Sequence, residues 1–175
     1  MAEPATLDPA IPDQTIDLAI AVLRAADRAG LSLVTAESCT GGLLASLLTD
    51  VEGLSHCFDR GFVSYSNESK CDLLGLEMAL VEGEGAVSKP VAIAMAQGAL
   101  RRSGADVAVA VTGFAGRGGK DDEPGLVHFG CAARDGRTCH DEQHFGDIGR
   151  GQVRLKALHR ALELIHDSLE SALAD

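Results

Sequence analysis

A chain of 175 residues with 26 acidic against 15 basic side chains carries a formal net charge of −11. That balance excludes broad attraction to nucleic acid or to an anionic membrane surface, and an anionic ligand would need a local cationic pocket. At 46% hydrophobic but only 3% aromatic, with no Trp, the chain can bury one sizeable core of Ala, Leu, Val and Ile, a composition suited to helices laid over a sheet.

Met1 to Gln14 is rich in Pro, Ala and Asp and lacks the charged-then-apolar layout of a signal peptide, so it reads as a disordered leader before a single domain over 15–175. Thr15 to Arg28 sets Ile16, Ala19, Ile20 and Leu23 at helical spacing and stops near Gly30, a helix with a glycine terminator. Leu31 to Thr35 follows as a mostly apolar strand. Leu43, Leu44, Leu47, Leu48 and Val51 then repeat as one face of a helix. His56 to Tyr65 predicts a strand with a bulge at its central glycine, and Asn67 to Leu74 a short helix. Ser88-Lys89-Pro90 is a sharp helix start, with the helix running to about Ser103. Ala105 to Val111 is a compact buried strand, and the glycine-rich stretch from Gly113 to Gly125, with its acidic run Asp121-Asp122-Glu123, a surface loop. Two strands flanking Asp135-Gly136 predict a hairpin. Gln152 to Leu173 carries Val153, Leu155, Leu158, Leu162, Ile165 and Leu169 along one face, a long terminal helix. Helices interleaved with strands imply an α/β fold, a three-layer α/β/α sandwich on a mixed, mainly parallel sheet.

The five cysteines, Cys39, Cys57, Cys71, Cys131 and Cys139, are odd in number and never spaced as CxxC, so neither a disulfide framework nor a zinc knuckle is expected. Six histidines show no HExxH string. His140 and His144 share a strand face and are read as surface residues. No metal and no cofactor is expected. No apolar run approaches the roughly 20 residues of a spanning helix, so a cytoplasmic protein without a membrane partner is expected.

Chemistry is expected first at Ser38, in Ala36-Glu37-Ser38-Cys39-Thr40-Gly41-Gly42, because a strand-to-helix elbow can present a nucleophile on a tight turn. Thr40 is expected to cap the following helix, and the N–H groups around Thr40, Gly41 and Gly42 to favour developing negative charge. As a residue taken alone, Ser38 is more often a turn or cap. Cys39 is the rival nucleophile, since a thiolate beside a helix start can be activated. A non-catalytic module that holds nucleotide phosphate on the elbow, or one that binds a protein partner, is the alternative from another class.

Five strings stand out together: AESCTGG at 36–42, SYSNESK at 64–70, GAVS at 85–88, VTGFAG at 111–116 and FGDIGRGQVR at 145–154. In order and content they resemble the CinA carboxy-terminal domain family, over about Ile16 to Leu169. The resemblance implies a nicotinamide-nucleotide amidohydrolase, or NMN deamidase, that cuts the carboxamide of nicotinamide mononucleotide to the nicotinate nucleotide and ammonia in pyridine nucleotide salvage. It also implies a Ser/Lys hydrolase in which Ser38 is the nucleophile, Lys70 the general base and Tyr65 a hydrogen-bonding helper. Thr40, Gly41, Gly42, Asn67, Thr112, Gly113 and Arg150 would complete the substrate pocket. Arg150 is open to two roles, binding the nucleotide phosphate or lowering the pKa of Lys70 by its field. Lys70 can act as a base only if neutral, which desolvation or positive charge would favour. The small-molecule substrate is the expected partner, with no nucleic acid, and the long apolar faces suggest a homo-oligomer.

Overall fold

The computed structural model describes residues 11–117, 119 and 122–174. The elements run α1 (Asp13–Ala29), β1 (Leu33–Glu37), α2 (Leu43–Thr49), a 3₁₀ turn (Ser55–Cys57), β2 (Phe58–Val63), α3 (Asn67–Leu74), α4 (Met78–Glu84), α5 (Lys89–Arg101), β3 (Val107–Gly113), β4 (Leu126–Ala133), β5 (Thr138–His144) and α6 (Arg150–Ala174). The expected leader lies outside the described residues up to position 10, and its end is ordered, since Asp13 and Gln14 already belong to α1. Gly118, Lys120 and Asp121 of the glycine-rich stretch also lie outside the described residues.

The sheet order is β2-β1-β3-β4-β5. β1 pairs in parallel with β2 and β3, while β4 is antiparallel to both β3 and β5, so four strands point one way and β4 the other. α1, α2 and α6 cover one face and α3, α4 and α5 the other, the three layers that the interleaved pattern implies.

Side chains alternate across a strand, and β3 (VAVAVTG) uses that alternation to set two different gaps. Val107, Val109 and Val111 fill the α1/α2/α6 side with Phe129 and Val127, whereas Ala108 and Ala110 face α5. α5 itself presents Ala92, Met95, Ala96 and Ala99 to the sheet, so helix and strands approach closely, and that replaces the missing aromatic bulk. Closest of all is Gly130, where an added Cβ would fall on the main-chain carbonyl of Ala92. Gly130→Ala is therefore expected to lift α5 and lower stability by about 1–3 kcal/mol, read as a shift in the urea midpoint. An unchanged midpoint would contradict that packing.

Two local expectations are corrected. The register between β1 and β2 slips from Leu33↔Phe58 to Val34↔Arg60, so the irregularity sits at Asp59 and not at Gly61, which instead makes room for Ala45 of α2. α4 has no counterpart in the sequence reading, because Gly83 and Gly85 interrupt the period that Leu80 and Val81 begin.

From β1 the chain returns through α2 to β2 on one side and then crosses through α3, α4 and α5 to β3 on the other. The carboxyl ends of β1 and β3 therefore flank a topological switch point, where open α/β sheets leave a crevice.

Candidate active site

Ser38 follows β1 directly, and its N–H donates to the Val111 carbonyl at 2.9 Å, so the β1–β3 ladder holds the residue in place. The turn closes with the Gly41 N–H on the Ser38 carbonyl at 3.1 Å, and α2 begins after Gly42, whose φ of 91° is left-handed. Thr40 does not cap this helix. Its hydroxyl is buried without a partner, and the cap is the fully buried carboxylate of Glu37, which accepts from the N–H groups of Gly42 at 3.1 Å, Leu44 at 3.0 Å and Ala45 at 2.8 Å. A carboxylate outcompetes a hydroxyl there because it accepts several N–H bonds and opposes the positive helix end.

That cap overturns one expectation. The Gly41 and Gly42 amides are already occupied, and among the described residues the elbow N–H groups of Cys39 and Thr40 reach no oxygen acceptor, that of Cys39 being turned to its own thiol. Glu37→Ala would strand three donors, that of Leu44 buried and those of Gly42 and Ala45 half-buried, so a loss of at least about 2 kcal/mol is expected, measured by denaturant unfolding. Stability within 0.5 kcal/mol or so of the parent would show the cap to be dispensable.

Lys70 comes from α3, whose start is fixed by Ser66 Oγ accepting from the Ser69 N–H at 3.1 Å. The lysine is 1% exposed. Its Nζ lies 3.0 Å from the Ser64 carbonyl, 3.4 Å from the Tyr65 carbonyl and 3.3 Å from Ser38 Oγ. A neutral amine has two N–H bonds and one lone pair. A charged ammonium donates to all three oxygens, whereas a neutral amine that gives its two N–H bonds to the carbonyls has its lone pair left for the Ser38 hydroxyl.

Burial lowers the pKa of Lys70, and the opposing influences come from the Cys39 and Cys71 thiols. Burial pushes Cys39 up to about 12, so that thiol is uncharged near neutral pH and does not hold a proton on the lysine. Desolvation is thus the main agent, and Arg150 does not contribute to lowering Lys70.

Around the pair lies a cleft of about 330 Å³ at the switch point, walled by Ala86 and Val87 on one side and by 113–117 on the other. Of the residues singled out in the sequence, Ser38, Lys70, Tyr65, Thr112, Gly113 and Arg150 line it, and Thr40, Gly41, Gly42 and Asn67 do not. Thr40 faces the core, and Asn67 is the half-buried first residue of α3. The Tyr65 ring is 67% exposed and stands at the mouth, where its hydroxyl lies 3.3 Å from Arg150 Nη2; only its carbonyl reaches Lys70. Thr112 is committed elsewhere, its hydroxyl donating to the Ala86 carbonyl at 2.7 Å, which ties the end of β3 to the segment before α5.

Sequence reasoning missed Glu37 and Arg154. Glu37 was legible as the one charge in an otherwise apolar strand beside Ser38. Arg154, one helical turn after Arg150, donates from Nη2 to the Thr40 carbonyl at 2.7 Å and so braces the elbow from α6. Larger clefts exist, about 550 Å³ between α1 and α6 and about 450 Å³ between β5 and α6, but neither is lined by Ser38 or Lys70, so size does not select the site.

A family model described as the CinA C-terminal domain matches residues 15–169. The chain is 48% identical over 144 residues to a protein of Enterobacter agglomerans named nicotinamide-nucleotide amidohydrolase PncC, covering 81% of this chain and 87% of that one. It is 59% identical over 107 residues to a putative competence-damage inducible protein of Symbiobacterium thermophilum, 60% of this chain but 25% of that protein. The chain likewise spans 38% of a CinA-like protein of Geobacter sulfurreducens. Among solved structures, a competence/damage inducible protein of Agrobacterium tumefaciens superposes with a TM-score of 0.88 at 44% identity, covering 93% of this chain and 99% of that one. One from Klebsiella pneumoniae gives 0.84 at 35% identity, over 89% and 97%.

Proposed function

The chain belongs to the CinA C-terminal domain family, and from that premise we propose that it is an amidohydrolase acting on nicotinamide mononucleotide, releasing nicotinate mononucleotide and ammonia. The observation that carries the reading is the buried amine of Lys70, its N–H bonds absorbed by two carbonyls, 3.3 Å from the Ser38 hydroxyl. The relative named for that activity matches over most of its own length, unlike the longer CinA-like proteins, and supports the choice of substrate.

In the proposed course, Ser38 Oγ attacks the carboxamide carbon as Lys70 takes the hydroxyl proton, and the lysine then protonates the departing nitrogen as ammonia leaves. Water deprotonated by Lys70 hydrolyses the resulting ester, returning the proton to Ser38. Cys39, next after the nucleophile, lines the cleft, and its N–H, turned otherwise to its own thiol, is the elbow donor assigned to the oxyanion. Arg150 has no carboxylate partner among the described residues, only the Tyr65 hydroxyl, so its charge at the mouth is available to the substrate phosphate of an otherwise acidic protein. Arg117, also at the mouth, is paired with Asp147 at 2.7 Å. Thr112 has a positioning role, through Ala86. A place in pyridine nucleotide salvage and a homo-oligomeric state belong to the same reading.

Ammonia release from nicotinamide mononucleotide by the purified protein tests it, and no release above the uncatalysed rate would overturn it. Cys39→Ala is expected to keep activity within about fivefold, because a thiol titrating near 12 supplies little nucleophilic thiolate. A dead Cys39→Ala that still folds would move the nucleophile to Cys39.

A further inference from the structure

The strand face beneath α5 carries a second cluster, one strand removed from the cleft. His128 of β4 stands opposite Glu142 of β5, and Gly130 opposite His140, so the three side chains converge on one face of an antiparallel pair. His128 Nδ1 lies 3.0 Å from His140 Nε2 and 3.5 Å from Glu142 Oε2. The two rings stack with centroids 5.3 Å apart. One ligand atom from each residue falls within 4.8 Å of the others, and His128 is only 7% exposed.

Zinc binds imidazole nitrogen and carboxylate oxygen at about 2.0–2.2 Å in a tetrahedron, which places neighbouring donors about 3.3 Å apart. The two separations from His128 Nδ1, 3.0 and 3.5 Å, bracket that value. Two imidazoles with one carboxylate form a donor set suited to zinc and related divalent transition metals. A second layer is also in place: the remaining carboxylate oxygen of Glu142 lies 2.9 Å from His144 Nε2, and His144 Nδ1 lies 2.7 Å from Glu123. Such outer contacts orient a metal-binding carboxylate. Lys89 stands near His140 but is exposed, and it makes no hydrogen bond to the three groups.

We propose that His128, His140 and Glu142 bind one divalent transition-metal cation, zinc above all, through Nδ1, Nε2 and Oε2, with the fourth position open to water. The ion clamps edge strand β5 to β4. Because His128 pairs with Thr112 across the β3–β4 ladder, the clamp also backs the wall of the cleft without supplying a reacting group.

The test is titration of the chelator-treated full chain with Zn²⁺ and Co²⁺. A single saturable equivalent, a Co²⁺ spectrum of nitrogen and oxygen ligands without thiolate charge transfer, and a raised unfolding midpoint are expected. His140→Ala and Glu142→Gln, both at partly exposed positions, should each weaken binding about 10–100-fold or more and abolish the midpoint shift. His56→Ala, in the separate group of exposed Asp27 and His56 with buried Cys57, should leave binding intact. Unchanged affinity in both β5 variants, a thiolate charge-transfer band, loss of binding in His56→Ala, or no saturable binding would overturn the assignment.

Discussion

Replacing Ser38 by Ala is expected to lower kcat for nicotinamide mononucleotide on the order of 10⁴-fold or more, with the protein still folded. The two halves of that expectation rest on different facts. Chemistry fails because, among the described residues, no other hydroxyl is hydrogen-bonded to Lys70 Nζ, its remaining partners being main-chain carbonyls. Folding survives because Ser38 is held through its backbone, by its N–H on Val111 and its carbonyl under Gly41, and the lost Oγ leaves Lys70 its other two partners. Turnover within tenfold of the parent, with normal circular dichroism, would remove Ser38 from the reaction.

Lys70→Met is expected to reduce kcat about 10²–10⁴-fold, the usual contribution of a positioned base, and at the same time to raise stability at neutral pH. Burial holds the folded pKa of this lysine below its ordinary 10.5. Between the two values the unfolded chain binds the proton and the folded chain does not, so stability rises with pH through that window. Below the window both states are protonated and the full penalty of burying the charge remains; above 10.5 it vanishes. A methionine carries no such penalty, so its gain in unfolding midpoint should be largest below the lowered folded pKa and shrink as pH climbs toward 10.5. Parent activity should rise with pH through the lowered pKa, since only the neutral amine accepts the proton. Lys70→Arg should be as inactive as Met, because guanidinium does not deprotonate. A Met variant that is less stable at every pH, or an Arg variant that works, would show that Lys70 is a structural cation.

Much of this fold was legible because its signals are local. Ser88-Lys89-Pro90 marks the start of α5, where Ser88 Oγ accepts from the Val91 N–H, and Asp135-Gly136 marks the β4–β5 hairpin, with Gly136 at φ 93°. Asn67–Leu74 is a helix at the expected bounds. Ser38 and Lys70, 32 residues apart, are brought together by the crossover between β2 and β3, which the family resemblance implied and periodicity alone did not. What stayed hidden depends on which acceptor wins a buried donor. Thr40 looks like a cap in sequence, but the carboxylate three residues earlier reaches the same amides and binds them more strongly. Tyr65 looks like a side-chain helper, but the turn into α3 points its ring at Arg150 and gives Lys70 only its carbonyl. Nor does a list of histidines reveal that β4 and β5 register sets His128 against Glu142.

The amine of Lys70 is steered by peptide oxygens at 64 and 65, atoms that every amino acid brings. Exchange of side chains at those two positions therefore leaves the acceptors of the base in place, even where a change at Tyr65 would release Arg150. The vulnerability is one of length: a single residue inserted or deleted between Val63 and Ser66 would rotate α3 by about 100° and swing the amine out of reach of its serine. Indels, and not substitutions, are the changes this junction cannot absorb.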